Sequence, residues 1–175
     1  VCLELFQPDY SRLLCSLGIP VLFIDACIDF RSLNLDCSLL LMENRVSTHQ
    51  MLAALCEKHH LTSMGFVGDN RHCISFSERY EAFFLTAAEY GVDTQSYNII
   101  ADDSNYSQDG WMTEQLQKKE RLPQLFFCAN DVLAQVLIHS LTELGLRVPE
   151  DVLVCGFDGL PSVNTPMNSL TTVRI

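Results

Sequence analysis

Basic side chains are scarce: 11 lysines and arginines stand against 22 acidic residues, a formal net charge of −11. Phosphate backbones attract clusters of Lys and Arg, and no cluster here exceeds Lys118–Lys119. These residues are therefore not expected to bind nucleic acid themselves. No apolar run approaches the roughly 20 residues of a membrane helix. The chain does not open on a basic stretch followed by an apolar core, so no signal peptide is expected. Its abrupt start on the strand-like run VCLELF suggests a piece of a longer protein. The eight cysteines are well separated and make no CxxC. Several lie in apolar runs, where a free thiol behaves as a small hydrophobe, and a reduced, cytoplasmic compartment is the simplest expectation. Zinc-ligand spacings, HExxH, GxGxxG and the Walker lysine are all missing, so no metal, nucleotide or other cofactor is expected. Repeats and low-complexity segments are missing as well.

Regular alternation is what the sequence has instead. Apolar runs VLFID (21–25), SLLLM (38–42), MGFVG (64–68), YNII (97–100), LFFCA (125–129) and VLVCGF (152–157) read as strands. Between them lie helical patterns. In 45–59, Val46, Met51, Leu52 and Leu55 share a face. A helix opening at Ser77 places Tyr80, Phe84, Ala87 and Ala88 inward and stops at Gly91. Residues 106–120 put Trp111, Met112 and Leu116 on one side, and 131–144 end at Gly145 with Pro149 beyond. Strands separated by helices imply right-handed crossovers and a mostly parallel α/β sheet covered on both faces. Ligands of such sheets bind at the carboxyl ends of strands, where Asp25, Asp69, Asn130 and Asp158 stand.

Each of these residues has an ordinary explanation. Asn130 and Asp131 stand at a helix start and either can cap it; Asp158 before Gly159 can be a turn residue. Three polar ends on one sheet edge carry more weight together than singly. Arg79, read as lying in a first helical turn, is mildly disfavoured there by the helix dipole, which invites a carboxylate or ligand partner. A nucleophile at Cys73 or Ser75 finds no histidine placed to activate it. The pair His59–His60 reads as a favourable contact at a helix end.

The order CANDVLA, ELGLRVPEDVLVCGFDG and LTTV (170–173), preceded by GIPVLFID, MENRVSTHQMLAAL, MGFVGD and SFSERYEAF, resembles the LacI/GalR family of bacterial transcription regulators over essentially the whole chain. The resemblance implies a doubly wound, periplasmic-binding-protein-like type I fold, truncated at both ends. Residues 1–44 are then the end of an N-subdomain, 45–170 the C-subdomain, and 171–175 the start of a crossing back. It also implies a non-enzymatic domain that clamps a small effector, usually a sugar or nucleobase, and pairs into a homodimer. Operator DNA is read through a domain outside this chain, in the cytoplasm. The other outcome is an extracytoplasmic sugar receptor of the same fold. Effector contacts carried over from matching motifs are Asp25, Ser75, Arg79, Asn130 and Asp158, with Tyr106 at an aromatic stacking position. Departures are Ala82 and Val136 where glycine is usual, Asn168 where proline is usual, and Gly159 where a second aspartate is common.

Overall fold

The computed structural model describes residues 1–102, 104–160 and 170–175; Asn168 lies outside them. Among the described residues there are two parallel sheets. The first is ordered β1 (Cys2–Leu3), β2 (Leu22–Ile24), β3 (Ser38–Leu40), with Phe23 beside Cys2 on one flank and Leu39 on the other. The second is ordered β4 (Met64–Val67), β5 (Leu125–Cys128), β6 (Leu153–Asp158), β7 (Thr171–Arg174). Parallel strands need crossovers. These are α1 (Pro8–Cys15) and a 3-10 turn (Phe30–Leu33) in the first sheet. In the second they are α3 (Ile74–Glu89) with α4 (Trp111–Gln117), and α5 (Asp131–Glu143). Helix α2 (Arg45–His59) leads from the first sheet to the second.

The continuous apolar runs behave as strands covered on both faces should: every residue of β4 and β5 is buried. Phe66, Phe126, Phe127 and Phe157 are fully enclosed, each contributing about 1.5–3 kcal/mol of burial. Helix α2 begins where Glu43 accepts the Val46 and Ser47 amides at 2.5 and 2.9 Å, and it turns out through His60 in the left-handed conformation. It packs on α3, where Arg45 bridges Glu78 and Glu81 across the helix pair.

Several expectations are corrected. YNII is not a strand of the sheet: Ile99 makes an isolated bridge to Val67, because Asn98 turns its side-chain oxygen onto the Phe66 amide at 2.8 Å. Residues 104–109 are turns, so the helix expected over 106–120 shrinks to Trp111–Gln117. Helix α3 starts three residues before Ser77, capped by the Cys73 sulfur at 3.5 Å from the Phe76 amide. Its buried face is Ser75, Arg79, Ala82, Phe83, Thr86 and Ala87 rather than the face through Phe84 and Ala88. Arg79 therefore lies in the second turn. Val46 is 56% exposed, and Thr48, Leu52 and Cys56 form the inward line of α2. Helix α1 behind Pro8 was not foreseen in the short N-terminal run. Residues 171–174 pair with β6 as the edge strand of the second sheet.

Candidate functional site

The carboxyl ends of β2 and β6 bring Asp25 and Asp158 to the region between the sheets. Both leave their strands with positive φ, 60° and 113°, a conformation that costs a non-glycine residue free energy and clusters at ligand sites. The lobes are stitched here. Ile74 donates its amide to the Ala26 carbonyl at 2.9 Å, and Ser75 donates its amide to Asp25 Oδ1 at 3.4 Å. Asp25 also accepts the Ala26 amide at 2.8 Å.

Arg79 is the hub, with 2% of its surface exposed. Its Nε donates to Asn44 Oδ1 at 3.0 Å, Nη1 to the Ala129 carbonyl at 2.7 Å and Nη2 to Met42 Sδ at 3.1 Å. The guanidinium lies 3.6 Å from the Phe157 ring centre, a cation–π stack, and its Nη1 is 3.5 Å from Asp158 Oδ1. Asn44 completes the group by donating to Ser75 Oγ at 3.3 Å and Glu78 Oε2 at 2.9 Å. Burial lowers the proton affinity of Arg79, opposed by Asp158, Cys73, Asp25 and Asp131. Burial raises the Asp158 carboxyl to about 6; Arg79 opposes the rise, and Asp131 and Glu4 add to it.

Asp131 lies behind this group, fully buried at the first position of α5. Its Oδ2 accepts the Leu160 amide at 2.8 Å and its Oδ1 accepts the Thr172 hydroxyl at 2.7 Å. One carboxylate thus fastens both the turn after β6 and strand β7. Room for it comes from Gly156, where a Cβ would overlap the Asp131 carboxylate. Gly159, the position of a common second aspartate, has φ 72° and stands against Arg174, so an aspartate there would be strained.

The structure joins four of the six candidate residues in one group: hydrogen bonds link Asp25, Ser75 and, through Asn44, Arg79, and an ion pair adds Asp158. Asn130 adjoins it through the Ala129 carbonyl, but its own Oδ1 accepts the Leu133 amide at 2.9 Å and caps α5. Of the CAND pair, Asn130 is the cap and Asp131, the first residue of α5, is the inward tie. Tyr106 is not among the partners of Arg79; it lines a separate cavity of about 420 Å3 with Gln135, Val136 and His139. A cavity of about 810 Å3 lies elsewhere again, along residues 95–100 and 118–121. Cys73 is enclosed, and burial with the neighbouring Asp25 drives its thiol far up, which removes the thiolate a nucleophile needs. Asn44, Met42 and Phe157 were missed by the sequence reading. Asn44 looks like a helix cap in MENR, and only the structure shows that Glu43 performs the capping and frees Asn44 for Arg79.

Comparison with known proteins agrees with this architecture. The profile of the "Periplasmic binding protein-like domain" matches residues 52–175. The HTH-type transcriptional repressor PurR of Haemophilus influenzae is 36% identical over 97 residues, covering 55% of this chain and 29% of that protein. Among solved structures, an uncharacterized protein from Actinobacillus succinogenes superimposes with a TM-score of 0.78 at 21% identity, over 97% of this chain and 70% of that one. A LacI family transcriptional regulator from Mycobacterium smegmatis gives 0.76 at 19% identity, over 98% of this chain and 61% of that one. These structural likenesses speak to the fold. The chain spans about a third of the length of the curated relatives it matches.

Proposed function

The chain belongs to the periplasmic binding protein-like domain family, as an effector-binding domain of the LacI type, and we propose that it senses a small neutral polyol, a sugar or a close relative, without turning it over. The observation that carries this reading is the meeting of strand ends from two different sheets, Asp25 and Asp158, around one buried arginine. Carboxylates accept hydroxyl hydrogens, and guanidinium donates in a fixed fork. Arg79 gives three hydrogen bonds and faces Asp158 through Nη1, so a ligand hydroxyl that enters here meets guanidinium and carboxylate together. Three aspartates act on that single cation, a balance that favours hydroxyl donors over phosphorylated sugars.

In this reading Asp25, Ser75, Arg79 and Asp158 hold the effector directly, and Asn130 sets the end of β5. Tyr106 would reach it only if the 104–109 turns close over the cleft. The lobes close on the ligand, and a different affinity for the open and closed arrangements moves an operator-binding head elsewhere in a cytoplasmic homodimer. The 1–44 and 45–170 division is the pair of lobes that closes.

A thermal-shift and urea-unfolding panel of sugars, nucleosides and phosphosugars tests this. At 100 times Kd a ligand adds about 2.7 kcal/mol. Neutral sugars should stabilise the parent chain, phosphosugars should not, and Asp158→Ala should abolish the response. A panel without a stabilising compound, or an Asp158→Ala chain that responds like the parent, overturns the proposal.

A further inference from the structure

The run YNII, which does not join the second sheet as a full strand, has half of a strand's bonding. Ile99 donates its amide to the Phe66 carbonyl at 2.8 Å, and its carbonyl accepts the Gly68 amide at 3.0 Å. In a parallel pair, a residue that turns its N–H and C=O to the partner strand is flanked by residues that turn theirs away. The backbone of Asn98 and Ile100 is therefore directed to the outer side. Side chains take three alternate carbonyls along this edge. Lys119 Nζ donates to Ser96 at 2.9 Å and to Asn98 at 3.1 Å, and Asn105 Nδ2 donates to Ile100 at 3.4 Å. Lys119, half-buried, comes from the segment after α4, and Asn105 from the 104–109 turns. The cavity of about 810 Å3 lies along the same edge, between residues 95–100 and 118–121.

The stretch SYNIIA, Ser96 to Ala101, holds no charge, proline or glycine, the composition of segments that add to one another as strands. In a chain of net charge −11 it is a place where two copies can meet without like charges opposing each other. An open edge offers its backbone as a template for another chain, and a lysine on the edge is a common protection against that. We propose that SYNIIA is a latent pairing edge, that the partner it fits is the same segment of a second copy of this chain, and that Lys119 keeps it shut. The ammonium acts in two ways. It occupies two acceptors that the amides of an added strand would need, and it sets in the groove a charge that a second copy would duplicate. Without it, two edges related by a two-fold axis can exchange backbone bonds and cover Ile100, which is 69% exposed. Tyr97 and Ile99 are already buried, so the pairing leaves the core as it is. This inference does not depend on the identity of the effector.

Sedimentation velocity over a concentration series tests this on the parent chain, Lys119→Met, Lys119→Arg and Lys118→Met. Lys119→Met keeps an apolar stem in the groove and has no donor. It should form species larger than the parent's at a concentration on the order of ten-fold lower. Lys119→Arg keeps the donors, and Lys118→Met loses the same charge one position away; both should sediment as the parent does. Adding Ile100→Lys to Lys119→Met sets two lysines face to face in the paired edge and should restore the parent's behaviour. Amide hydrogen exchange in the associated Lys119→Met chain should show protection gained at Asn98 and Ile100. Circular dichroism checks that each variant is folded, and Lys119→Gln, too short to hold both carbonyls, replaces Lys119→Met should that chain not fold. Four results would each overturn the proposal: a Lys119→Met chain that sediments as the parent at every concentration, association shared by Lys118→Met or Lys119→Arg, association that survives Ile100→Lys, or protection gained away from 96–101.

Discussion

Asp158→Asn gives a test whose sign is opposite to the usual expectation for an ion-paired carboxylate. Asp158 faces the cation Arg79, yet burial, Asp131 and Glu4 outweigh that attraction and lift its carboxyl from 3.8 to about 6. Between those values the folded chain binds a proton that the unfolded chain has released. Stability contributed by the protonated group is therefore present below pH 3.8 and is lost as pH rises through 6. At about 1.4 kcal/mol per tenfold, the gap amounts to about 3 kcal/mol, and about 2 kcal/mol of it falls between pH 4.5 and 7.5. Asparagine resembles the protonated acid at every pH. The two chains should accordingly have similar stability near pH 4 and diverge above it, with Asp158→Asn the more stable by about 3 kcal/mol at pH 7.5. Urea unfolding of both chains at half-unit steps, with the difference plotted against pH, isolates this one carboxyl from every other titration they share. A difference that stays flat from pH 4.5 to 7.5, or that favours the parent at high pH, refutes the reasoning. The same substitution should remove effector binding, so the stability gained would come from a group retained for its ligand.

Other substitutions read the remaining contacts. Asn44→Ala removes the acceptor of Arg79 Nε inside the cluster and should cost about 2–3 kcal/mol by leaving a charged donor unpaired, measured as a lowered urea midpoint with an unchanged slope. Arg79→Met should cost about 3–5 kcal/mol because it strands buried acceptors and Asp158; Asp158→Asn in the same chain should recover part of it, which a double-mutant cycle checks. Asn130→Ala deletes the α5 cap bond and should cost about 1 kcal/mol while the circular dichroism spectrum stays that of the parent.

What could be read in advance follows from what periodicity encodes. The β5 run and the 131–144 helix were plain because unbroken apolar residues and a clean Gly145 stop report burial directly. The face of α3 was misread because its inward line includes Ser75, Arg79 and Thr86, polar residues that a hydrophobic pattern assigns to solvent. Residues 97–100 were misread because an apolar run does not reveal whether its backbone finds a ladder partner or, as at Phe66, a side chain instead. The site was half legible for a similar reason. Strand-end position and motif order pointed to Asp25, Ser75, Arg79 and Asp158. The partners of Arg79 lie 35 and 50 residues away at Asn44 and Ala129, a separation that local spacing cannot show. In CAND, two adjacent polar residues at a helix start are equivalent by sequence, and only the direction of each side chain separates cap from tie.

The space that Gly156 leaves for Asp131 has a consequence for how such chains can diverge. Neither position can change freely while the other stays as it is. A side chain at Gly156 becomes tolerable once Asp131 has shortened, yet a shortened Asp131 gives up its hold on Leu160 and Thr172. Any lineage that alters the pair must therefore pass through a weakened intermediate or acquire a new anchor for β7 first. The two positions, 25 apart in sequence, should consequently be inherited together, each setting which mutations the other accepts.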